Sequence, residues 1–153
     1  MLAARSVIFI SFPHKSAHPG SCPRVRREGN NMKAMDIIER LDLLEPNDYS
    51  PEQKLRWLNT LDGKIYREVI QTHEDVWTPF PDSYVSGEEE LLVGEPYGED
   101  LYYYYLQAMV AAENGETQRY NKRMTLFNSA WQGWVNWYNR SHMPHKRGAG
   151  FRF

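Results

Sequence analysis

The sequence predicts a mostly α-helical protein: a small helical bundle with a C-terminal antiparallel helix hairpin and a long irregular connector. Three observations carry that expectation. Apolar residues recur at three- and four-residue steps in separate stretches between residues 35 and 142, the period of helices that bury one face. Proline gathers between these stretches, where it marks turns and connectors. Finally, 153 residues with 41% hydrophobic and 14% aromatic side chains are enough to bury one core.

The first 31 residues hold three prolines and scattered basic side chains without a sustained period, so they are expected to be a disordered or added leader. An upstream translation start would account for it, with Met32 or Met35 as the alternative first residue. The apolar run at 7–10 is too short for a bilayer span, which takes roughly 20 residues, and no A-x-A-like site follows it as a secretory signal requires. From Met35 an amphipathic pattern places Met35, Ile38, Leu41 and Leu43 or Leu44 on one face, and Pro46 ends it. Ser50, Pro51 and Gln53 then spell a helix start: N-cap, first-turn proline and capping-box glutamine. Leu55, Leu58, Leu61, Ile65 and Val69 form the buried stripe of a helix reaching about His73. Lys54, Arg56, Lys64, Arg67 and Glu68 fall on its wet face. Gly63 inside that helix costs ~1 kcal/mol relative to alanine, so close packing of another backbone or a kink is expected there.

Residues 74–98 lose the period and hold three prolines and three glycines, an irregular connector within which 90–93 could form a short strand or edge segment. The helical pattern resumes at Glu99, whose charge and that of Asp100 suit a helix N-terminus. Asn114 and Gly115 stop it and Glu116 restarts it, which predicts a tight helix hairpin. In the last helix Tyr120, Met124, Phe127, Trp131, Trp134 and Tyr138 form one stripe, and Leu126, Ala130, Gly133 and Trp137 a second beside it. Leu58, Leu61, Ile65, Leu106, Phe127, Trp131 and Trp134 are expected to share one core. A basic tail follows from 143 to 153, so the helical domain spans 32–142.

Charge divides along the chain. Residues 1–33 hold six Lys/Arg against one acid, residues 34–139 eight against nineteen, and residues 140–153 four against none. An acidic body is a poor reader of nucleic acid, whose phosphates reward a basic face, so only the ends could touch DNA. Cys22, the single cysteine, excludes a disulfide scaffold and a cysteine-rich zinc module. None of the five histidines lies four residues from another within a helix. His142 and His145 have no accompanying carboxylate or cysteine, and Pro144 interrupts the helix between them. Glu88, Glu89 and Glu90 read as a solvated charged run, since successive side chains do not converge. With no phosphate loop, nucleophile elbow or zinc-helix motif, the expectation is a protein that is not an enzyme, with no cofactor and no metal site.

The aromatic surplus is the feature that asks for a partner. Tyr102 to Tyr105 cover a whole helical turn, and Trp131, Trp134 and Trp137 span more than one side of the last helix. One domain can bury one such face, and aromatic residues are enriched where subunits meet. Tyr103, Tyr104, Trp137, Arg140, Lys146 and Arg147 are therefore the candidate interface residues. Base stacking is disfavoured by the acidic surroundings.

Several segments together resemble a known family. They are Tyr49-Ser50-Pro51-Glu52-Gln53-Lys54-Leu55, Trp57-Leu58, Leu61-Asp62-Gly63-Lys64-Ile65-Tyr66, Glu90-Leu91-Leu92-Val93, Pro96-Tyr97, Tyr102 to Leu106, Asn114-Gly115-Glu116, Arg119-Tyr120-Asn121 and Phe127-Asn128. Over roughly 35–142 the chain resembles small phage and prophage proteins of Gram-positive bacteria that are similar to head-tail connector (neck adaptor) proteins. The resemblance implies a helical structural subunit of the virion, made in the host cytoplasm during assembly and joining a homo-oligomeric ring on the portal. Portal and neck proteins would be its partners. Genome DNA would pass without sequence-specific binding, and neither membrane nor cofactor is involved. The alternative class is a small nucleic-acid-associated or DNA-packaging accessory protein that uses the basic ends. A hydrolase with an unrecognised site is the least supported reading.

Overall fold

A computed structural model describes residues 32–73 and 83–144 of the chain. Among these residues four helices make the bundle: α1 (Ala34–Leu44), α2 (Pro51–Glu68), α3 (Gly98–Glu113) and α4 (Thr117–Ser141), with a 3-10 turn at Ile70–Thr72 after α2. Among the described residues no strand is formed. Two isolated antiparallel bridges, Lys33 with Glu90 and His73 with Pro144, tie connecting segments together. The mostly helical bundle and the terminal hairpin are as the sequence predicts, and over residues 83–97 the connector is irregular, as expected.

The start of α2 and the end of α3 have a local cause. Ser50 accepts a hydrogen bond from the Gln53 amide at 3.3 Å, and Pro51 follows in the first turn, where its missing N–H costs nothing. The α2 stripe is buried as expected, but the helix ends at Glu68 and the chain tightens into the 3-10 turn before His73. Gly115 closes α3 with φ +71°, the left-handed conformation that glycine adopts without steric cost. With so short a link, α3 and α4 pack as the expected antiparallel hairpin.

Several expectations are corrected. In α1 the buried face is Ala34, Ile37, Ile38 and Leu41. Leu43 and Leu44 are 81% and 56% exposed, because at about 100° per residue Leu43 falls opposite the buried face and Leu44 at its edge. Lys54, placed on the wet face by periodicity, is only 1% exposed. Its ammonium reaches the half-exposed carboxylate of Asp42, so the stem is buried while the charge stays paired. A Cβ at Gly63 would meet nothing within 4 Å, so no backbone packs closely there. At Gly98 the opposite holds: a Cβ would lie 2.0 Å from the Val93 carbonyl oxygen. Trp131 is half-buried and packs against the core rather than inside it, whereas Leu58, Leu61, Ile65, Leu106, Phe127 and Trp134 do share one cluster.

The second half of the connector is not loose. Tyr84, Leu91 and Val93 enter the core, and the Leu91 amide donates to the Met32 carbonyl at 2.9 Å. The three consecutive glutamates are also more than a solvated run. Glu88 pairs with Lys33 at 2.6 Å. Glu89 turns its carboxylate onto the amides of Val85, Ser86 and Gly87 at 3.0, 3.0 and 2.7 Å. Those amide donors hold the Glu89 carboxyl well below the usual range, at about 2. The leader at 1–31, the first part of the connector and the tail beyond Pro144 lie outside the described residues.

Candidate interaction surface

The candidate interface residues occupy three different settings. Tyr103 is 8% exposed, and the Arg40 guanidinium lies 4.6 Å from its ring centroid, so it serves packing between α1 and α3 and offers little to a partner. Tyr104 is half-buried at the edge of the same helix. Trp137 belongs to an aromatic group at the far end of α4, with the Tyr97 ring centroid 5.5 Å away and His142 at 6.2 Å. Arg140 is exposed, and its Nε donates to the Asn136 carbonyl at 3.0 Å. Lys146 and Arg147 lie outside the described residues. Helical phase explains the split: consecutive tyrosines on a helix point about 100° apart, so a run of four must meet both core and water.

The surplus is largest on α4. Of its 25 residues only Phe127, Trp134 and Tyr138 are buried. Tyr120, Met124, Leu126, Ala130, Trp131, Val135 and Trp137 are only partly covered. Along the helix the rings form a chain of contacts: Tyr105 with Phe127 at 5.5 Å, Phe127 with Trp131 at 6.0 Å, Trp131 with Trp134 at 5.7 Å and Trp134 with Tyr138 at 5.4 Å. Offset and edge contacts of this kind stabilise beyond area burial. Beside them a cleft of about 150 Å³ opens between α2 and α4, lined by Leu61, Lys64, Tyr105, Met124, Phe127 and Trp131 among others.

Two polar nodes, one buried and one partly buried, hold this surface in place, and periodicity reveals neither. Asp62 is 0% exposed and accepts from the hydroxyls of Tyr84 and Tyr102 and from the Leu92 amide at 3.2 Å. The Tyr102 hydroxyl in turn accepts from the Val93 amide at 3.1 Å. One carboxylate thereby joins α2, α3 and the connector. Burial pushes the Asp62 carboxyl up against the lowering effect of its three donors, and it pushes both tyrosines up as well. With Asp62 and Tyr102 at 0% exposure and Tyr84 at 5%, this node is closed to any substrate. Glu45 makes the second node. Its Oε1 receives Gln107 Nε2 at 2.8 Å, Arg123 at 2.6 Å and Arg119 at 3.2 Å, fixing the α1 end to α3 and α4.

His73 and His142, 69 positions apart in the sequence, come within 6.2 Å between ring centroids, with Tyr138 stacked on His142 at 3.9 Å. Each Nδ1 sits against a carbonyl four residues back, Val69 at 2.8 Å and Tyr138 at 3.1 Å, so the two rings close the last turns of their helices. Spacing rules look for nearby histidines in one helix and therefore miss this pair. His145 lies outside the described residues, and among those described no group of three or more His, Cys, Asp or Glu could hold a metal ion.

No protein-family model matches the chain, and no curated protein or solved structure matches it either. Among the described residues no helix is long and apolar enough to cross a membrane.

Proposed function

We propose that the protein is a structural subunit of a tailed-phage or prophage neck, a head-tail connector that assembles as a ring at the portal. The observation that carries the reading is α4, a 25-residue helix that leaves most of its apolar and aromatic side chains only partly covered. An isolated domain gains little from such a surface, while a subunit packed between neighbours and a portal buries it. The family resemblance over 35–142 supplies the setting. The acidic body supports it too, since acidic walls repel phosphates and let a genome slide past.

The test is to mix the purified chain with the portal of the same phage and examine the product by electron microscopy and co-sedimentation. Rings seated on the portal are the expected outcome. If the chain ignores the portal and instead retains duplex DNA in a salt-dependent way, the reading gives way to a DNA-packaging accessory role.

A further inference from the structure

We infer that the exposed Leu43-Leu44 end of α1 is a knob that seats in the α2/α4 cleft of a second copy of this chain. The proposal rests on the ring reading for its setting and supplies the contact that such a ring lacks. Leu43 at 81% and Leu44 at 56% exposure are adjacent at the end of α1, and among the described residues Leu43 is left almost bare and Leu44 more than half so. The cleft is the complementary feature. At about 150 Å³ it has the size of an apolar hollow that takes up benzene, the scale of one leucine side chain. Its lining by Leu61, Tyr105, Met124, Phe127 and Trp131 is chemically suited to an aliphatic guest.

Charge selects the same pairing. Glu39 lies one turn before Leu43 on the same face of α1, and Asp42 beside it is 41% exposed, so the knob has an acidic rim. At the cleft Lys64 is a lining residue and Arg67 follows one turn on, both exposed and neither in an ion pair among the described residues. Glu68 is the one acid beside them. Asp42 is already paired with Lys54, so it is the Glu39 carboxylate that meets the two unpaired cations and gives orientation as well as attraction. Because knob and cleft are different patches, the contact is head to tail. Repetition of such a contact closes into a ring if the rotation per subunit permits and otherwise gives an open chain.

The test uses full-length protein in a Cys22→Ser background. Leu43→Cys and Asn128→Cys variants, Asn128 being at the cleft, are oxidised separately and as a mixture at concentrations up to about 1 mM, where weak association is populated. The expected result is a disulfide-linked heterodimer in the mixture and little product in either variant alone. Leu43→Asp with Leu44→Asp should weaken self-association by at least tenfold in sedimentation while leaving the unfolding midpoint unchanged, since both side chains are exposed. Homodimers forming as fast as the heterodimer, a wild-type chain that stays monomeric throughout, or unchanged association of the double variant would each overturn the contact. Rings that still form from the double variant would sink the contact and spare the ring. Cross-linked open chains without rings would do the reverse.

Discussion

At the residue scale Asp62 and Glu89 show two carboxylates put to opposite electrostatic use. Asp62 is buried with three donors around it, and removing the acceptor would strand two tyrosine hydroxyls and an amide without a partner. Each stranded buried donor costs about 1–3 kcal/mol, so Asp62→Ala should lose roughly 3–5 kcal/mol in urea unfolding. A loss below about 1 kcal/mol, the scale of an ordinary surface change, would mean the node carries no weight. The pH dependences have opposite signs. The folded Asp62 carboxyl is raised, so its contribution is fully present below the unfolded value of about 3.9 and is lost as pH rises through the folded value. Glu89 is depressed to about 2, so its contribution is present above the unfolded carboxylate range and disappears as pH falls toward 2. In acid titration followed by circular dichroism, Glu89→Gln should therefore flatten the loss of stability below pH 4. An acid limb as steep as that of the wild type would contradict the loop role of Glu89.

At the element scale, α4 is a helix whose two tryptophans on the inner side differ in environment through about 60° of helical phase. Trp134 is 3% exposed and Trp131 half-buried. Trp134→Ala should cost about 3–5 kcal/mol, the range for deleting a fully buried ring, and Trp131→Ala clearly less. Equal costs measured by chemical denaturation would place both rings in one environment. The elements themselves were largely legible from sequence. The α2 stripe, the Ser50 cap and the Gly115 stop each follow from a local rule acting within one turn or one period. What stayed hidden depends on partners far along the chain. Lys54 is buried because Asp42 is within reach. Asp62 is buried because the connector brings Tyr84 and Leu92 to it. Periodicity puts Lys54 on the wet face and marks nothing at Asp62 as buried. The candidate surface was legible as a surplus of rings, but the division between Tyr103 and Tyr104 was not, since it depends on where Arg40 of α1 lies.

At the scale of the whole molecule, the short segment before α1 is a structural tie. Met32 is 7% exposed, its carbonyl accepts from Leu91, and Lys33 bridges to Glu90 and pairs with Glu88. A chain started at Met35 lacks all of these, and one started at Met32 keeps them. The Met35 form should melt several degrees lower, since about 1 kcal/mol shifts the midpoint of a domain this size by roughly 4–8 °C. Matching melting curves would show that the tie adds nothing. The tail enters the same ledger at one point: Pro144 bridges to His73, so truncation after His142 removes a contact that truncation after Pro144 retains.

The way α4 is attached has a consequence for motion. Its backbone runs close to that of α3 and to no other helix described here, while Glu45 holds its first half through Arg119 and Arg123. A helix whose backbone lies along one neighbour, and which buries only Phe127, Trp134 and Tyr138 of its 25 residues, is a separable unit, able to detach at a free energy below that of global unfolding. Amide hydrogen exchange should accordingly find α4 opening before α2, with Glu45→Gln accelerating the N-terminal half of α4 more than the rest. The same looseness gives an assembling subunit a route to exchange: a hairpin arm released from its own α3 can lie against another copy's, trading one helix for its twin without any new chemistry.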